Sequence, residues 1–453
     1  MDLENIGEQS GKVASVGQVS KVGPHDDEGL TSEGAEVRLR AEVIDWIEEV
    51  AHPLTTTRPS APLEDLRPLA GMLGRASIVG YGAGTRGAHE VFTMQDRIAR
   101  LLVGAAGFRV VAFDQDWTLA TRLDAFARAG TGDPRAILAD AEAFADTEEM
   151  LGLVEWVRDF NQNHPDDPVR LAGVSPHAVG AAAYDTVLDH FREAAPARLD
   201  ELAAYYADLR PEGDLATHTD YFRKLANRTE WVERARAAHD LVAEVTAGLV
   251  GHTWALHTAR VIVQFYELHD HDDRPEDPFN MAYFEQSFAE NVEWWQRYTG
   301  RKTLFWSSSS HTSNGLYRGF PPTPSDVSRN AGSYLRERLG PAYLSIGLTF
   351  HDGELATYAR TDPLHVPGSA PELIESVLGG TGLDGYLLDL DADRPQSVAE
   401  WLSRTAKFRV IGGDYDPDAD SVHHMTGGSP RDWFDVIVHC QHVTPARPVD
   451  RAT

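Results

Sequence analysis

Three short stretches hold the residue types that do chemistry. "GYGAGTRGAHE" at 80–90 sets Arg86, His89 and Glu90 in a glycine-rich turn, "FDQDW" at 113–117 supplies Asp114 and Asp116, and "WSSSSH" at 306–311 runs four serines into His311. A carboxylate bonded to an imidazole fixes its tautomer and raises its basicity, so His311 partnered by Asp114 or Glu90 reads as a general base. Arg86 stays protonated near neutral pH and cannot be a base; its chemistry is to hold an oxyanion, a carboxylate or an enolate. Any of Ser307–Ser310 has the hydroxyl to attack a carbonyl, but hydrogen bonding to substrate, by Ser308 and Ser310 together with His89 and Asp116, is the simpler role. Each has a plain structural alternative. His311 can be a strand-end histidine, Arg86 can pair with Glu90 four residues on, Asp114 can cap the turn before Trp117, and the serines can be a loop.

The turn also spells Gly82-x-Gly84-x-x-Gly87, after a strand, before a helix, with Asp114 ending the next strand where a ribose-binding carboxylate would sit. That pattern reads as a dinucleotide site, hence an oxidoreductase, only if the backbone amides from Gly82 to Gly87 are free to meet a phosphate.

The elements that must position these residues follow from hydrophobic period. "ASIVG" at 76–80 and "FRVVAFDQDW" at 108–117 are short buried strands, and "EVFTMQDRIARLLVGA" at 90–105 between them is an amphipathic helix. Further strands are expected at 169–175, 303–307, 342–350, 384–390, 408–413 and 433–443, with helices over 35–52 and 330–340. Strands alternating with helices predict an α/β fold, a mostly parallel sheet covered on both faces by helices. The helix-rich stretch 118–299 is expected to be an inserted lobe, residues 35–117 and 300–450 the α/β core, and 1–34, polar and without aromatics, a disordered acidic tail.

Composition narrows the partners. The formal net charge of −29 is spread along the chain and repels phosphate backbones and anionic lipid, so neither nucleic acid nor membrane is expected, and small-molecule or peptide substrates fit better. No apolar run reaches the roughly 18–20 residues of a membrane span. The single cysteine, Cys440, excludes an intramolecular disulfide and a Cys-rich zinc site, and the N-terminal residues lack the order of a secretion signal, which makes the cytoplasm the expected compartment. Histidines recur in "ELHDHDD" at 267–273 and at His423 and His424. The first reads as a solvated loop and the second as residues near a pocket mouth, so no metal and no cofactor is expected. Oligomeric state is not readable.

From about residue 75 to 447 the sequence resembles the erythromycin esterase family, whose loop reads roughly G-E-x-x-H-G-x-x-E and whose later strand ends in H-N-x-H. The counterparts here are Gly82 to Glu90, Asp114 to Trp117, and Ser308-Ser309-Ser310-His311; "FAENV" at 288–292, "GSYLRERLGPAYLSIGLTFHDG" at 332–353 and "FDVIVHCQHVTPARP" at 434–448 also match. The resemblance implies the family's α/β scaffold and ester or lactone hydrolysis. Several motif positions differ: Arg86 replaces the loop histidine, Ala83 the loop glutamate, Ser308 the first histidine of H-N-x-H, and Gln95 an arginine of the first helix. Glu90, Asp114 (a shortened Glu) and His311 remain. The resemblance therefore implies an enzyme with a rebuilt pocket: His311, Asp114, Glu90 and Arg86 carry hydrolysis or a proton-transfer reaction such as elimination, cyclisation or isomerisation, and His89, Gln95, Asp116, Ser308 and Ser310 line the substrate. The alternatives are an inactive, ligand- or protein-binding family member and the nucleotide-dependent oxidoreductase.

Overall fold

Every residue of strand β2 (Ile78–Ala83) is buried, the signature of a strand with both faces covered. Its side chains alternate between two apolar layers: Ile78 joins the cluster on one face, Val79 and Tyr81 the cluster on the other. β3 (Phe108–Asp116) and β5 (Lys302–Ser308) divide in the same way, Val110, Ala112 and Phe305 against Val111, Phe113, Leu304 and Trp306. The computed structural model describes residues 32–270, 278–318, 327–357, 362–413 and 415–451, and those from Leu39 onward form one compact unit. Most of the 1–34 tail, and His271, Asp272 and Asp273, lie outside the described residues.

The remaining strands of the main sheet are β1 (His52–Pro53), β4 (Arg170–Ser175), β6 (Tyr343–Leu355), β7 (Leu364–Val366), β8 (Gly385–Asp389) and β9 (Val436–Val443). They run in the order β1-β8-β9-β6-β2-β5-β3-β4, with β7 added beside β6. The block from β9 to β4 is parallel, whereas β8 is antiparallel to β9 and to β1. This is the α/β fold expected from the sequence. One strand differs: Phe408–Arg409 forms a separate two-stranded ribbon with His424–Met425 instead of joining the sheet. The Arg409 guanidinium is fully buried, paired with Asp420 at 2.7 Å and donating to the carbonyl of Pro367 at 3.3 Å and to those of Phe350 and His351 in β6, which ties the ribbon to the sheet through a side chain.

Helix α2 (His89–Ala106) returns from β2 to β3 and ends where Gly107 takes the left-handed conformation, φ 74°. Helix α3 (Trp117–Ala129) starts on Asp116, whose carboxylate accepts from Thr118 N–H at 2.8 Å and Leu119 N–H at 3.0 Å. Helix α4 (Glu148–Asn163) starts on Thr147 and packs on the α2 face. On the opposite face, α5 (Ala181–Ala194), α6 (Arg228–Val245), α7 (His252–Asp270), α8 (Pro278–Thr299) and α9 (Ala331–Leu339) share one apolar cluster with Ile78, Val110, Ala112, Phe305 and Tyr343. The stretch 118–299 thus supplies β4 as well as a helical layer over the sheet. Among the described residues no helix is long and apolar enough to cross a membrane.

Candidate active site

Parallel strands deliver their carboxyl ends to one edge of the sheet, and ligands of open α/β sheets bind there. At that edge the turn after β2 is pinned by main-chain bonds. Gly84 N–H donates to Leu348 O at 2.8 Å, Ile411 N–H to Gly84 O at 2.8 Å, and both Ala356 N–H and Ala446 N–H to Gly87 O at 2.9 Å. Gly87 N–H meets Thr85 Oγ1 at 3.2 Å. A Cβ at Gly82 would stand 2.2 Å from Thr312 Oγ1, and one at Gly87 would stand 2.3 Å from Ala356 O. The glycines are there for close packing. With the Gly84 and Gly87 amides engaged and the chain closed over Gly82, the turn offers no phosphate cradle, which removes the ground for the dinucleotide reading.

Arg86 points across the turn to β3. Its Nη2 donates to Asp114 Oδ2 and, at 3.3 Å, to Ser307 Oγ; Ser307 Oγ–H in turn donates to Asp114 Oδ2 at 3.0 Å. The guanidinium lies 4.3 Å from the ring centre of Phe144. Arg86, Asp114, Ser307 and Phe144 line a crevice with Gln95, Gln115 and Trp306, whose free volume of about 10 Å³ holds roughly one water. Asp114 is therefore the partner of Arg86, and the expected pairing of His311 with Asp114 or Glu90 is not what forms. Glu90 instead fixes the start of α2 to the C-terminal segment, accepting from Thr444 N–H at 2.6 Å and Thr444 Oγ1–H at 2.8 Å.

His311 lies on one helical turn (Ser309–Thr312) that follows β5, not on an open loop. Its Nδ1 meets Glu285 Oε1 at 2.7 Å, and Glu285 Oε2 accepts Ala331 N–H at 2.8 Å. Glu285 is completely buried. Since a carboxylate only accepts, Nδ1 carries a proton, which in the neutral ring leaves the lone pair on Nε2. The imidazole is held edge-on to Phe284 and Phe288, with centroids 5.6 and 5.5 Å away. The serine run is the cap of this turn: Ser308 Oγ accepts Ser310 N–H at 3.4 Å and bonds Ser310 Oγ at 3.0 Å, while Ser309 Oγ–H reaches Gly82 O at 2.8 Å.

The other residues singled out in the sequence have internal partners. His89 Nδ1 meets Glu149 at 2.5 Å. Gln95 donates to Tyr81 O at 2.8 Å, leaving its buried Oε1 without a partner among the described residues. Asp116 caps α3, and burial raises its carboxyl above the ordinary value. His424 is buried with Nδ1 on Ser421 O at 2.8 Å, and His423 Nε2 accepts Asp416 N–H at 3.1 Å. His269 corrects the solvated-loop expectation. It is buried at the end of α7, accepting on Nδ1 from Arg223 at 3.1 Å and donating from Nε2 to His177 O at 2.9 Å. Burial pushes its imidazole down to about 3. Among the described residues no group of three or more His, Cys, Asp or Glu is placed to hold a metal ion.

Three site residues were not read from the sequence. Glu285 sits beside the apolar Phe284–Phe288 face of α8, and an acid on such a face is the one local signal it gives. His177 follows β4 at the carboxyl end of the sheet. The residue is exposed, yet the protein packed around its imidazole pulls it down to about 4, with Asp114 opposing and His311, Arg223 and Arg86 adding to the shift. Glu142 rides on the segment that carries Phe144, its N–H 3.3 Å from Gln115 Oε1. Crowding, then Asp114, pushes its carboxyl up to about 7 against the pull of Arg86.

Comparison with known proteins agrees with this architecture. A protein from Bacillus cereus is 25% identical over 91% of this chain and 99% of its own, with a TM-score of 0.81. A succinoglycan biosynthesis protein is also 25% identical over the same shares, with a TM-score of 0.80. A histidine-to-asparagine mutant of the erythromycin esterase EreC, in its open conformation, shares the fold at 14% identity, covering 88% of this chain and 99% of its own, with a TM-score of 0.64. The family model for erythromycin esterase matches residues 103–443, so the chain belongs to the erythromycin esterase family.

Proposed function

We propose that this chain is a cytoplasmic enzyme acting on a small organic, natural-product or peptide substrate by proton transfer to His311 Nε2. The observation that carries this reading is the His311–Glu285 pair: a buried carboxylate on Nδ1 leaves Nε2 of the neutral ring with the lone pair of a base, on a side chain that is 14% exposed. In ester or lactone hydrolysis His311 takes a proton from water as its oxygen attacks the carbonyl carbon, then returns it to the departing alkoxide. Arg86, fixed by Asp114 and Ser307, has further N–H groups for the developing oxyanion. Elimination, cyclisation or isomerisation uses the same base and the same oxyanion partner without water. The test is mass spectrometry of wild type and His311→Ala on a panel of esters, lactones and peptide precursors. A gain of water that disappears in the variant supports hydrolysis; loss of water, or an isomer of unchanged mass, supports the diverged reaction. The second reading, ligand binding without turnover, draws on the Arg86–Asp114 pair and the closed crevice. It takes over if the panel is bound but unchanged by both proteins.

A further inference from the structure

We infer that His177 is a second substrate-contacting histidine, its imidazole hydrogen-bonding the oxygen of an uncharged carbonyl compound (an ester, lactone or amide) whose reacting carbon faces His311. This rests on the reading of His311 as the base. His177 lies two residues beyond β4, and its main chain is fixed: its carbonyl accepts from buried His269 at 2.9 Å and its N–H reaches Ser175 Oγ at 3.5 Å. The ring packs on Phe284 with centroids 4.5 Å apart, and Phe284 in turn stands 5.6 Å from His311. The two imidazoles are therefore at most about 10 Å apart on one phenyl wall. That span suits two rings each within hydrogen-bond reach, about 2.9 Å, of one small group between them.

Among the described residues no side chain bonds either ring nitrogen of His177, although the residue is exposed. Every other histidine of the site has a nitrogen engaged: His311 on Glu285, His269 on His177 O and Arg223, His89 on Glu149. Crowding and the neighbouring cations keep His177 uncharged at neutral pH, so one nitrogen donates and the other accepts. Of the charged groups acting on it, Asp114 is the carboxylate, and the two arginines are already engaged, Arg86 with Asp114 and Arg223 with His269, so a neutral oxygen suits the neutral ring.

The test is diethyl pyrocarbonate modification of the full chain at pH 6, mapped by mass spectrometry, with and without high concentrations of γ-butyrolactone or ethyl butyrate. Expected is ready carbethoxylation of His177 and His311 while buried His257, His269 and His439 stay intact, and at least tenfold slowing of both cleft histidines by the carbonyl probe. In His177→Phe the probe should no longer protect His311, whereas His177→Asn, which keeps a donor and an acceptor, should retain protection. Protection of His311 in His177→Phe equal to wild type, or a His177 that does not react in the free protein, overturns the inference and leaves the His311 reading standing. Failure of either probe to protect His311 in wild type overturns both.

Discussion

Replacing Glu285 by glutamine tests the tautomer on which the proposed base depends. Among its partners the wild-type carboxylate serves His311 Nδ1–H at 2.7 Å and Ala331 N–H at 2.8 Å, with none of its surface exposed. A glutamine has one oxygen for those two donors. The Ala331 N–H belongs to the first turn of α9 and cannot rotate away, so the amide oxygen must go to it and the amide NH2 must face Nδ1. Nδ1 then has to accept, the ring proton moves to Nε2, and Nε2 turns from base to donor. General-base catalysis contributes about 10²- to 10⁴-fold, and a histidine locked in the wrong tautomer costs about 10⁴ in a catalytic triad. Turnover that depends on His311 should therefore fall about 10³- to 10⁴-fold. One charge-assisted hydrogen bond is also lost, about 1.5–3 kcal/mol. For a folded unit of about 400 residues, unfolding entropy near 2.1 cal/mol/K per residue converts that to a Tm about 2–4 °C lower. Long-range ¹H–¹⁵N correlation on histidine-labelled protein reads the tautomer without any substrate. It should show a lone pair on His311 Nε2 in wild type and a proton there in Glu285→Gln. A lone pair that stays on Nε2 in the variant would refute the reasoning.

Arg86→Met keeps apolar contact with Phe144 but strands the Asp114 carboxylate on Ser307 alone; partial exposure of Arg86 moderates the cost to about 1–3 kcal/mol, and adding Asp114→Asn should recover most of it in a urea-unfolding double-mutant cycle. Gly82→Ala forces a Cβ to within 2.2–2.6 Å of Thr312 Oγ1 and the Ser309 backbone, and should cost about 3 kcal/mol; Gly104→Ala, with nothing within 4 Å in the last turn of α2, should raise stability by about 0.5 kcal/mol in the same denaturation assay. Glu375 is fully buried between Thr349 Oγ1 and Arg409 N, and burial pushes its carboxyl up to about 7 against the pull of Arg409. Its folded pKa lies above its unfolded value near 4.5, so the native state binds the extra proton, and stability declines as pH rises from about 4.5 to 7, by roughly 3 kcal/mol at most. Glu375→Gln should flatten that part of the stability–pH curve, measured by urea midpoints at pH 5 and pH 8.

The β2–α2–β3 unit was legible because its signals are local: five- and six-residue apolar runs, an 18-residue amphipathic helix, and Gly107 to stop it. The family was legible in the same way, through contiguous stretches such as 332–353 and 434–448. What failed was pairing between distant segments. Nothing in the order of residues says that His311 would take Glu285, 26 positions earlier and on another helix, before Asp114. Arg86 turned away from Glu90 because the start of α2 is fastened to Thr444, which leaves Asp114 as the carboxylate across the turn. His269 looked solvated because acidic residues follow it; its own position on α7 faces inward. Phe408–Arg409 had the composition of a sheet strand, yet it pairs with His424–Met425, two residues that give no strand signal of their own.

The bonds that fasten the Arg86 turn also set an order of events in synthesis. Gly87 O is held by Ala446, about 360 residues later in the chain, and Thr444, which donates to Glu90 and accepts from His89 N–H, follows β9 directly. β2 itself needs β5 and β6 as neighbours, both made more than 200 residues after it. A ribosome therefore releases the glycine turn long before anything exists to shape it, and the helices of 118–299 emerge while the central strand still lacks its partners. Contacts this distant in sequence slow folding, because the closure of long loops precedes any reward from pairing. Nascent chains of this protein should carry an exposed, apolar β2 for most of their synthesis, a state in which a chaperone has a long, continuous target.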